Sequence, residues 1–426
     1  MFNKKNNIIM LTKLSFTTVQ GVLILSAFGP YIINDLGIRT DHLVIYTSFS
    51  YILAKAMLNG SINLINEMKF IIIILIILFL IPFVMLLYNN IYTLKMLASI
   101  ENYLQPIAVI IIVCYGCKHN NLRINKLIYL FLFLLCLNTA FSVISILYDT
   151  DEAMSFFLRT GSTEGAIPVG MSVMSQSRYT GIFNQPFTAG LAYSVGLFGI
   201  MYLYSCEKSR FILGLLTIIV FIGGIITVSK VFFPLGVFIA LYMLFQYRKI
   251  NIILILSALF TIVLSVLPLF WDNIYFSRLL AIPSSVNATL ELYTSGRLGI
   301  SNVNLNYAEK IYNDAFLIGY GYATNTYAPD SAYVDYLSQS GVIGVCLYIV
   351  LLGYLGFSIF RSRINRNQKI LLKGLFYLLI LAGVGAPVLT INRVSIIILV
   401  LITSLLYQRK VLQNNTSHFN VFLQHT

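Results

Sequence analysis

The chain has 426 residues, of which 58% are hydrophobic and only 10% are charged, and its formal net charge is +13. Soluble domains are roughly 45–50% apolar and about 25% charged, so this composition excludes a soluble enzyme, a nucleic-acid-binding protein and a disordered chain. Uncharged runs such as residues 70–87 are long enough to cross the ~30 Å hydrocarbon core of a bilayer. The sequence therefore predicts an all-α polytopic membrane protein.

Apolar windows predict about twelve transmembrane helices, and their continuous hydrophobicity favours helices over the alternating strands of a barrel. In chain order they cover residues 14–33, 42–58, 70–87, 97–116, 127–147, 186–204, 211–228, 231–246, 252–270, 341–360, 370–389 and 394–407. The positive-inside rule places both termini in the cytoplasm, because most of the 28 basic residues then lie in cytoplasmic loops. The basic residues left outside are Arg39, Lys95, Arg159, Arg178, Lys230, Arg278, Arg297, Lys310 and Arg393.

Two polar segments are longer than simple connections, and both are external in this topology. The predicted organisation is helices 1–5 (1–148), an external loop (149–185), helices 6–9 (186–270), a large external loop (271–340), helices 10–12 (341–407) and a cytoplasmic tail (408–426). Long loops are usually functional or disordered, and the many tyrosines of the second loop argue against disorder. We therefore expect two ordered external loops that contain short interfacial helices and carry the function.

The first loop ends with an arginine directly before a predicted helix entry. Arg178 precedes residues 181–186 (Gly-Ile-Phe-Asn-Gln-Pro), in which Asn184 and Pro186 are typical of a first helical turn. A guanidinium beside a helix N-terminus attracts anions such as phosphate groups. The alternative is an interfacial Arg178 that reaches lipid headgroups, and the residue pattern leaves both interpretations open.

The second loop also places an arginine between glycines, followed by helical patterns. Arg297 lies in residues 295–299 (Ser-Gly-Arg-Leu-Gly), and residues 303–318 form an amphipathic stretch expected along the membrane interface. Beyond it, four residues share one helical face: Asp330, Tyr333, Leu337 and Gly341. We expect this face to continue directly into the tenth transmembrane helix. Asp330 is interpreted as a helix cap, as a chemical group, or as both.

The order of these motifs resembles a known family. Arg178 and the Gly-Ile-Phe-Asn-Gln-Pro turn are followed by Ser-Gly-Arg, by residues 317–321 (Leu-Ile-Gly-Tyr-Gly), and by residues 330–341 (Asp-Ser-Ala-Tyr-Val-Asp-Tyr-Leu-Ser-Gln-Ser-Gly). In this order and with this external placement, they resemble the Wzy-type polymerases of O-antigen and capsular polysaccharide repeat units, in the O-antigen polymerase–ligase superfamily. The resemblance covers residues 178–344 and the number of helices.

The resemblance implies a GT-C-like architecture and a metal-independent glycosyltransferase of the bacterial cytoplasmic (inner) membrane. Its substrate would be an oligosaccharide repeat unit on undecaprenyl diphosphate, polymerised on the external, periplasmic face into O-antigen of lipopolysaccharide or into a capsule. The implied partners are this substrate, the bilayer, and a chain-length regulator and a flippase of the same pathway. No nucleic acid, cofactor or metal is expected.

Two chemical roles follow from this reaction. Fixed cations stabilise the departing diphosphate, a role for Arg178 and Arg297, with Arg159 a weaker third. A proton acceptor serves the attacking hydroxyl, with Asp330 the first choice and Asp335 and Glu291 the reserves. The predicted catalytic residues are Arg178, Arg297 and Asp330, and the predicted substrate-binding residues are Arg159, Asn184, Glu291, Tyr333 and Asp335.

Two other functions compete with polymerisation. The ligase branch of the superfamily has a histidine at the position of Asp330, and this chain does not. A lipid-linked oligosaccharide flippase or other transporter also has about twelve helices, but it is expected to show internal repeats, and none is evident here. Glu101 is an ionisable residue inside the fourth predicted helix, which is a functional hypothesis by default. We expect it instead to pair with Lys95 or to face a polar cavity.

Overall fold

The computed structural model is predominantly helical. It describes residues 17–33, 37–59, 64–89, 94–117, 124–148, 150, 153, 156–158, 178–206, 210–247, 303–322, 331–391 and 393–407. The helices are α1 (Thr17–Ala27), α2 (Thr40–Asn59), α3 (Asn66–Asn89), α4 (Leu94–Cys117), α5 (Ile124–Leu147), α6 (Pro186–Cys206), α7 (Arg210–Ile226), α8 (Val237–Tyr247), α9 (Val303–Asp314), α10 (Ala332–Arg361), α11 (Arg366–Gly383) and α12 (Val394–Tyr407). A π-helical turn, Val231–Gly236, leads into α8. A short antiparallel sheet of β1 (Tyr31–Ile33) and β2 (Ile38–Arg39) separates α1 from α2.

Among the described residues, five helices are long and apolar enough to cross a membrane. Their qualifying segments are Asn66–Met85, Ile100–Cys117, Ile124–Leu147, Pro186–Cys206 and Ala332–Arg361. Shorter apolar helices occupy Phe211–Ile226, Val231–Tyr247 and Val394–Tyr407. The prediction of an all-α, multi-pass membrane protein is confirmed at this level. Helices occur at every predicted span except residues 252–270, which lie outside the described residues, but α1 has only 11 residues, so a count of twelve spans stays a prediction.

Helix α6 lies at the centre of the described bundle. Almost all of its side chains are buried, and it packs against α5, α7, α8 and α11. Close approach depends on small residues, as at many membrane helix contacts. Gly223 of α7, for example, lies so near the ring of Tyr193 that a side chain there would overlap it. Helices α3 and α5 are instead buried on one side only, and their exposed apolar side chains suit contact with lipid.

The N-terminal ends of five helices meet at one end of the bundle, which we call the polar end. Helix α2 contacts α4 through the Tyr46 hydroxyl, which donates to Glu101 Oε1 at 3.0 Å. Helix α4 contacts α10 through Tyr103 and Asp335, and α12 through Gln105 and Ser395. Asn184, just before α6, bonds Tyr31 of β1. The polar end therefore collects segments that the predicted topology places on one side of the membrane.

The opposite end of the bundle carries exposed basic residues and is called the basic end. Tyr247 at the end of α8 donates to the Asn367 carbonyl at 3.0 Å, at the start of α11. Lys369 donates to the carbonyl oxygen of Phe360, near the end of α10, at 2.6 Å. The side chains of Arg361 and Arg366 are exposed there. The described helix ends that the predicted topology assigns to opposite sides of the membrane thus lie at opposite ends of the bundle.

Helix α10 is broken at Gly341, which corrects the expectation of an uninterrupted helix into the tenth span. Gly341 has φ 62°, and a side chain there would overlap the Leu317 carbonyl. The chain after α9 fills the break: the Tyr320 and Gly321 N–H groups donate to the carbonyls of Ser338 (2.7 Å) and Gln339 (3.1 Å). In return, the Val342 and Ile343 N–H groups donate to the carbonyls of residues 316 and 317 at 2.9 and 3.3 Å. A break within an apolar helix persists because its freed backbone groups find these partners.

Candidate functional site

The turn that carries Asn184 is anchored on helix α5. Asn138 is buried, its Oδ1 accepts the Ile182 N–H at 2.8 Å, and its Nδ2 donates to the Tyr193 hydroxyl at 2.9 Å. Gly181 has φ 63°, and a side chain there would overlap Asn138. The turn predicted from its Gly, Asn and Pro residues is thus present, held by a buried amide that the local pattern did not reveal.

Arg178 lies beside a strained connection between α7 and α8. Its Nη2 donates to the carbonyl oxygen of Val228 at 3.2 Å, and the Tyr179 N–H donates to the Ile226 carbonyl at 3.0 Å. Val228 has φ 48°, which is a genuine outlier for a β-branched residue. The π-helical turn follows immediately, and such turns often occur at functional sites. Arg178 is therefore held by ordered backbone.

A second arginine site lies at the polar end, in residues outside the predicted site. Arg39 of β2 donates from Nε and Nη2 to the two carboxylate oxygens of Asp41, each at 2.8 Å. Both residues are buried, with 3% and 1% exposure. Burial alone would lower the pKa of Arg39, but the adjacent Asp41 carboxylate raises it above the ordinary value. Such a bidentate pair is the strongest arrangement for these two side chains, and it leaves Arg39 neutralised.

Arg393 reaches the same place from the start of α12 without a carboxylate of its own. The guanidinium carbons of Arg39 and Arg393 lie 5.9 and 5.5 Å from the centroid of the Tyr31 ring, whose hydroxyl accepts from Asn184 Nδ2 at 2.8 Å. Arg393 Nη2 donates to the Phe157 carbonyl at 3.0 Å, in the first predicted loop. We call Tyr31, Arg39, Asp41, Asn184 and Arg393 the arginine cluster.

The arginine cluster has one positive charge in excess and unused donors. Arg393 is only 3% exposed, and its Nε and Nη1 atoms have no hydrogen-bond partner in the described part of the chain. Burial, and then the charge on Arg39, lower the pKa of Arg393 to about 10, so it remains a cation at neutral pH. Its φ of 70° is uncommon outside glycine, and such conformations concentrate at functional sites. A buried guanidinium that leaves two donors unpaired is costly unless these donors meet an acceptor.

His42 and Glu101 extend the arginine cluster towards the surface. His42 Nε2 lies 2.8 Å from Arg39 Nη2 and 3.5 Å from Glu101 Oε1. Tyr46, one turn further along α2, donates to the same Glu101 oxygen. Glu101 therefore has partners on a neighbouring helix at the polar end. The sequence marked it only as an ionisable residue within a span.

Asp335 and Tyr333 lie in a separate, enclosed tyrosine cluster. The Asp335 carboxylate accepts from the Tyr103 hydroxyl at 3.1 Å and from Gln339 Nε2 at 2.7 Å, and the residue is 7% exposed. Tyr336 stacks on Tyr348 with 4.4 Å between ring centroids, and Tyr333 meets Tyr348 edge to face. Both carboxylate oxygens are thus engaged, and buried aromatic rings surround them.

An apolar crevice lies between helices α3, α4, α10, α11 and α12. Its lining includes Leu75, Pro106, Ile110, Leu355 and Leu399. Pro106 lies between one and two turns along α4 from Glu101, and Leu399 lies between one and two turns along α12 from Arg393. No residue of the arginine cluster lines the crevice, which is therefore an apolar space within the helix packing and separate from the cluster.

The structure brings together only part of the predicted site. Asn184 joins the arginine cluster, Arg178 lies against the connection between α7 and α8, and Tyr333 and Asp335 share the tyrosine cluster. Four predicted residues lie outside the described residues: Arg159, Glu291, Arg297 and Asp330. Sequence reasoning did not select Arg39 and Arg393 as site residues, although the predicted topology placed both among the few external basic residues. Among the described residues, no three His, Cys, Asp or Glu side chains form a group that could hold a metal ion.

Comparison with known proteins adds no family to these observations. The chain matches no protein-family model, and no curated protein sequence matches it.

Proposed function

We propose that the protein is a membrane glycosyltransferase that polymerises oligosaccharide repeat units carried on undecaprenyl diphosphate. The reaction takes place at the polar end, on the external face of the bacterial cytoplasmic membrane, and its product is O-antigen or a capsular polysaccharide. The family resemblance of the motifs between residues 178 and 344 supports this proposal. The single observation that carries it is that Arg393, buried in the arginine cluster, has two donors, Nε and Nη1, without a partner in the described part of the chain.

The arginine cluster suits a phosphate group that gains charge during reaction. Arg393 offers Nε–H and Nη1–H, which lie on different edges of the guanidinium and can each donate to a phosphate oxygen, and the N-terminal ends of α2, α4, α6, α10 and α12 add positive potential. When the sugar–phosphate bond breaks, negative charge grows on the departing diphosphate. Fixed donors at that point lower the activation barrier, and each donor raises the rate by about 10²–10³-fold.

Apolar side chains on the same helices favour a lipid-linked rather than a soluble substrate. Pro106 and Leu399 lie between one and two turns along α4 and α12 from Glu101 and Arg393. Burying a hydrocarbon chain contributes about 0.8 kcal/mol for each CH₂ group. The proposal therefore assigns the lipid chain to the apolar surfaces of the helices and the sugars to the water-facing loops.

Complementation of a host strain that lacks this protein tests the proposal. Wild-type protein restores long polysaccharide ladders, whereas Arg393→Ala leaves single repeat units, although its abundance in the membrane is unchanged. Glu309→Gln, an exposed acidic position on α9, is the matched control and restores ladders. Ladders of normal length with Arg393→Ala would show that the arginine cluster takes no part in the reaction.

The break in α10 favours one other function, a flippase, because transporters often contain discontinuous helices near their substrate sites. The same null strain separates the two. A missing flippase leaves lipid-linked units on the cytoplasmic face, whereas a missing polymerase leaves single units on the external face. A ligase gives a third pattern, in which long chains form but stay on undecaprenyl diphosphate.

A further inference from the structure

We propose that Glu101, at the edge of the arginine cluster beside His42, accepts the proton of the sugar hydroxyl that attacks during chain extension. The inference rests on the proposed function. It assigns to a residue of α4 a role for which the sequence pattern offered only acidic residues of the second external loop.

Glu101 is the reachable carboxylate beside the arginine cluster. Its side chain is 18% exposed and that of His42 is 14% exposed, whereas Asp41 is 1% exposed and locked to Arg39. Asp335 is only 7% exposed, and each of its oxygens accepts a hydrogen bond within the tyrosine cluster. Of the three, only Glu101 combines an accessible side chain with direct continuity to the arginines.

The directions of the hydrogen bonds around Glu101 determine whether its carboxylate can accept a proton. Arg39 can only donate, so its Nη2 donates to His42 Nε2 at 2.8 Å, and that nitrogen carries no proton. The neutral imidazole therefore donates nothing to Glu101 from Nε2. Tyr46 supplies one hydrogen bond to Glu101 Oε1, and a carboxylate has about four acceptor positions. Glu101 thus keeps acceptor capacity for a bound hydroxyl.

Titratable side chains of two elements face Glu101. In the described part of the chain they are Asp41, His42 and Tyr46 of α2 and Arg39 of β2. Arg39 is paired with Asp41, and Tyr46 donates one hydrogen bond to the Glu101 carboxylate. Arg39 also fixes the His42 ring next to Glu101, which leaves the imidazole a positioning residue.

The proposed step balances as follows. The acceptor hydroxyl oxygen forms a bond to the anomeric carbon of the donor sugar while the bond from that carbon to the diphosphate oxygen breaks. The electron pair of the broken bond leaves with undecaprenyl diphosphate, which Arg393 holds. The hydroxyl proton passes to the Glu101 carboxylate and then to water. A general base of this kind contributes about 10²–10⁴ in rate.

The test uses full-length protein in nanodiscs with lipid-linked repeat units extracted from a host strain that lacks it. Wild-type protein converts the units into longer chains. Glu101→Gln keeps an oxygen for the Tyr46 hydroxyl and is expected to slow conversion about 10²–10⁴-fold with unchanged thermal unfolding. Glu101→Ala is expected to regain activity when formate, a small external carboxylate, is added, which a purely structural role would not produce.

Controls separate this inference from the proposed function. Glu309→Gln, at an exposed acidic position on α9, should be indistinguishable from wild type. No elongation by wild-type protein would overturn the proposed function itself. Elongation by wild type and by Glu101→Gln at equal rates, or no formate rescue of a folded Glu101→Ala, would overturn the role of Glu101 and leave the function standing.

Discussion

Arg39 and Arg393 lie against the same tyrosine ring, although they come from opposite ends of the chain. Their guanidinium carbons are 5.9 and 5.5 Å from the Tyr31 centroid, but only Arg39 has a carboxylate partner. The two arginines therefore share one aromatic ring, but the charge of Arg39 is neutralised by a carboxylate and the charge of Arg393 is not, in the described part of the chain. The difference between them leads to opposite expectations for stability.

Replacing each arginine by methionine should shift stability in opposite directions. Arg393→Met removes a buried cation that lacks partners for two donors, so the unfolding temperature of the purified protein should stay level or rise, while ladders are lost. Arg39→Met leaves Asp41 buried without its partner and should cost about 3–5 kcal/mol. Thermal unfolding in detergent measures both. Equal destabilisation by the two variants would contradict the assigned charge balance.

The break in α10 should tolerate no side chain at its centre. Gly341→Ala places a Cβ in a left-handed conformation, which costs about 1–2 kcal/mol, and against the Leu317 carbonyl. Gly353→Ala, in the same helix but with open space around it, should stabilise the helix by up to about 1 kcal/mol. The unfolding temperatures of both variants provide the measurement. An equal decrease in unfolding temperature for both would show that the break at Gly341 has no special need for glycine.

The turn before α6 should depend on a single buried amide. Asn138→Ala leaves the Ile182 N–H and the Tyr193 hydroxyl without this partner, and each unsatisfied buried group costs about 1–3 kcal/mol. Thr217→Val is the control, because the Thr217 hydroxyl bonds only the Leu213 carbonyl of its own helix. We expect a marked loss of unfolding temperature for Asn138→Ala and a small one for Thr217→Val. A larger loss for Thr217→Val than for Asn138→Ala would show that Asn138 does not anchor this turn.

The Tyr103–Asp335 contact should matter for stability more than for catalysis. Tyr103→Phe and Asp335→Asn each weaken a buried hydrogen-bond network, and a double-mutant cycle should show a coupling free energy of about 0.5–3 kcal/mol. Folded Asp335→Asn protein should still elongate lipid-linked units far faster than Glu101→Gln. A rate as low as that of Glu101→Gln would return the proton-acceptor role to Asp335.

Local chemistry predicted much of the secondary structure. The apolar runs predicted helices wherever the described residues allow comparison, and the amphipathic stretch after residue 303 forms α9. The Asn184–Pro186 entry to α6 is also present. The break at Gly341 escaped prediction, because its cause is a distant segment, residues 316–321, that supplies the missing backbone hydrogen bonds. A helical period describes one helix and contains no information about such a partner.

A chain with 58% hydrophobic and only 10% charged residues can bury its long apolar runs in a membrane and keep its charges in the connecting segments. The sequence by itself determined this class and most of the described helical elements, and it predicted a short set of external arginines. Only the tertiary structure decided which of these arginines meet. Tyr31, Arg39, Asn184 and Arg393 lie far apart in the chain, and helix packing brings them to one end because the N-terminal ends of parallel helices coincide there. Because this packing buries Arg393, two of its hydrogen-bond donors have no partner in the described part of the chain.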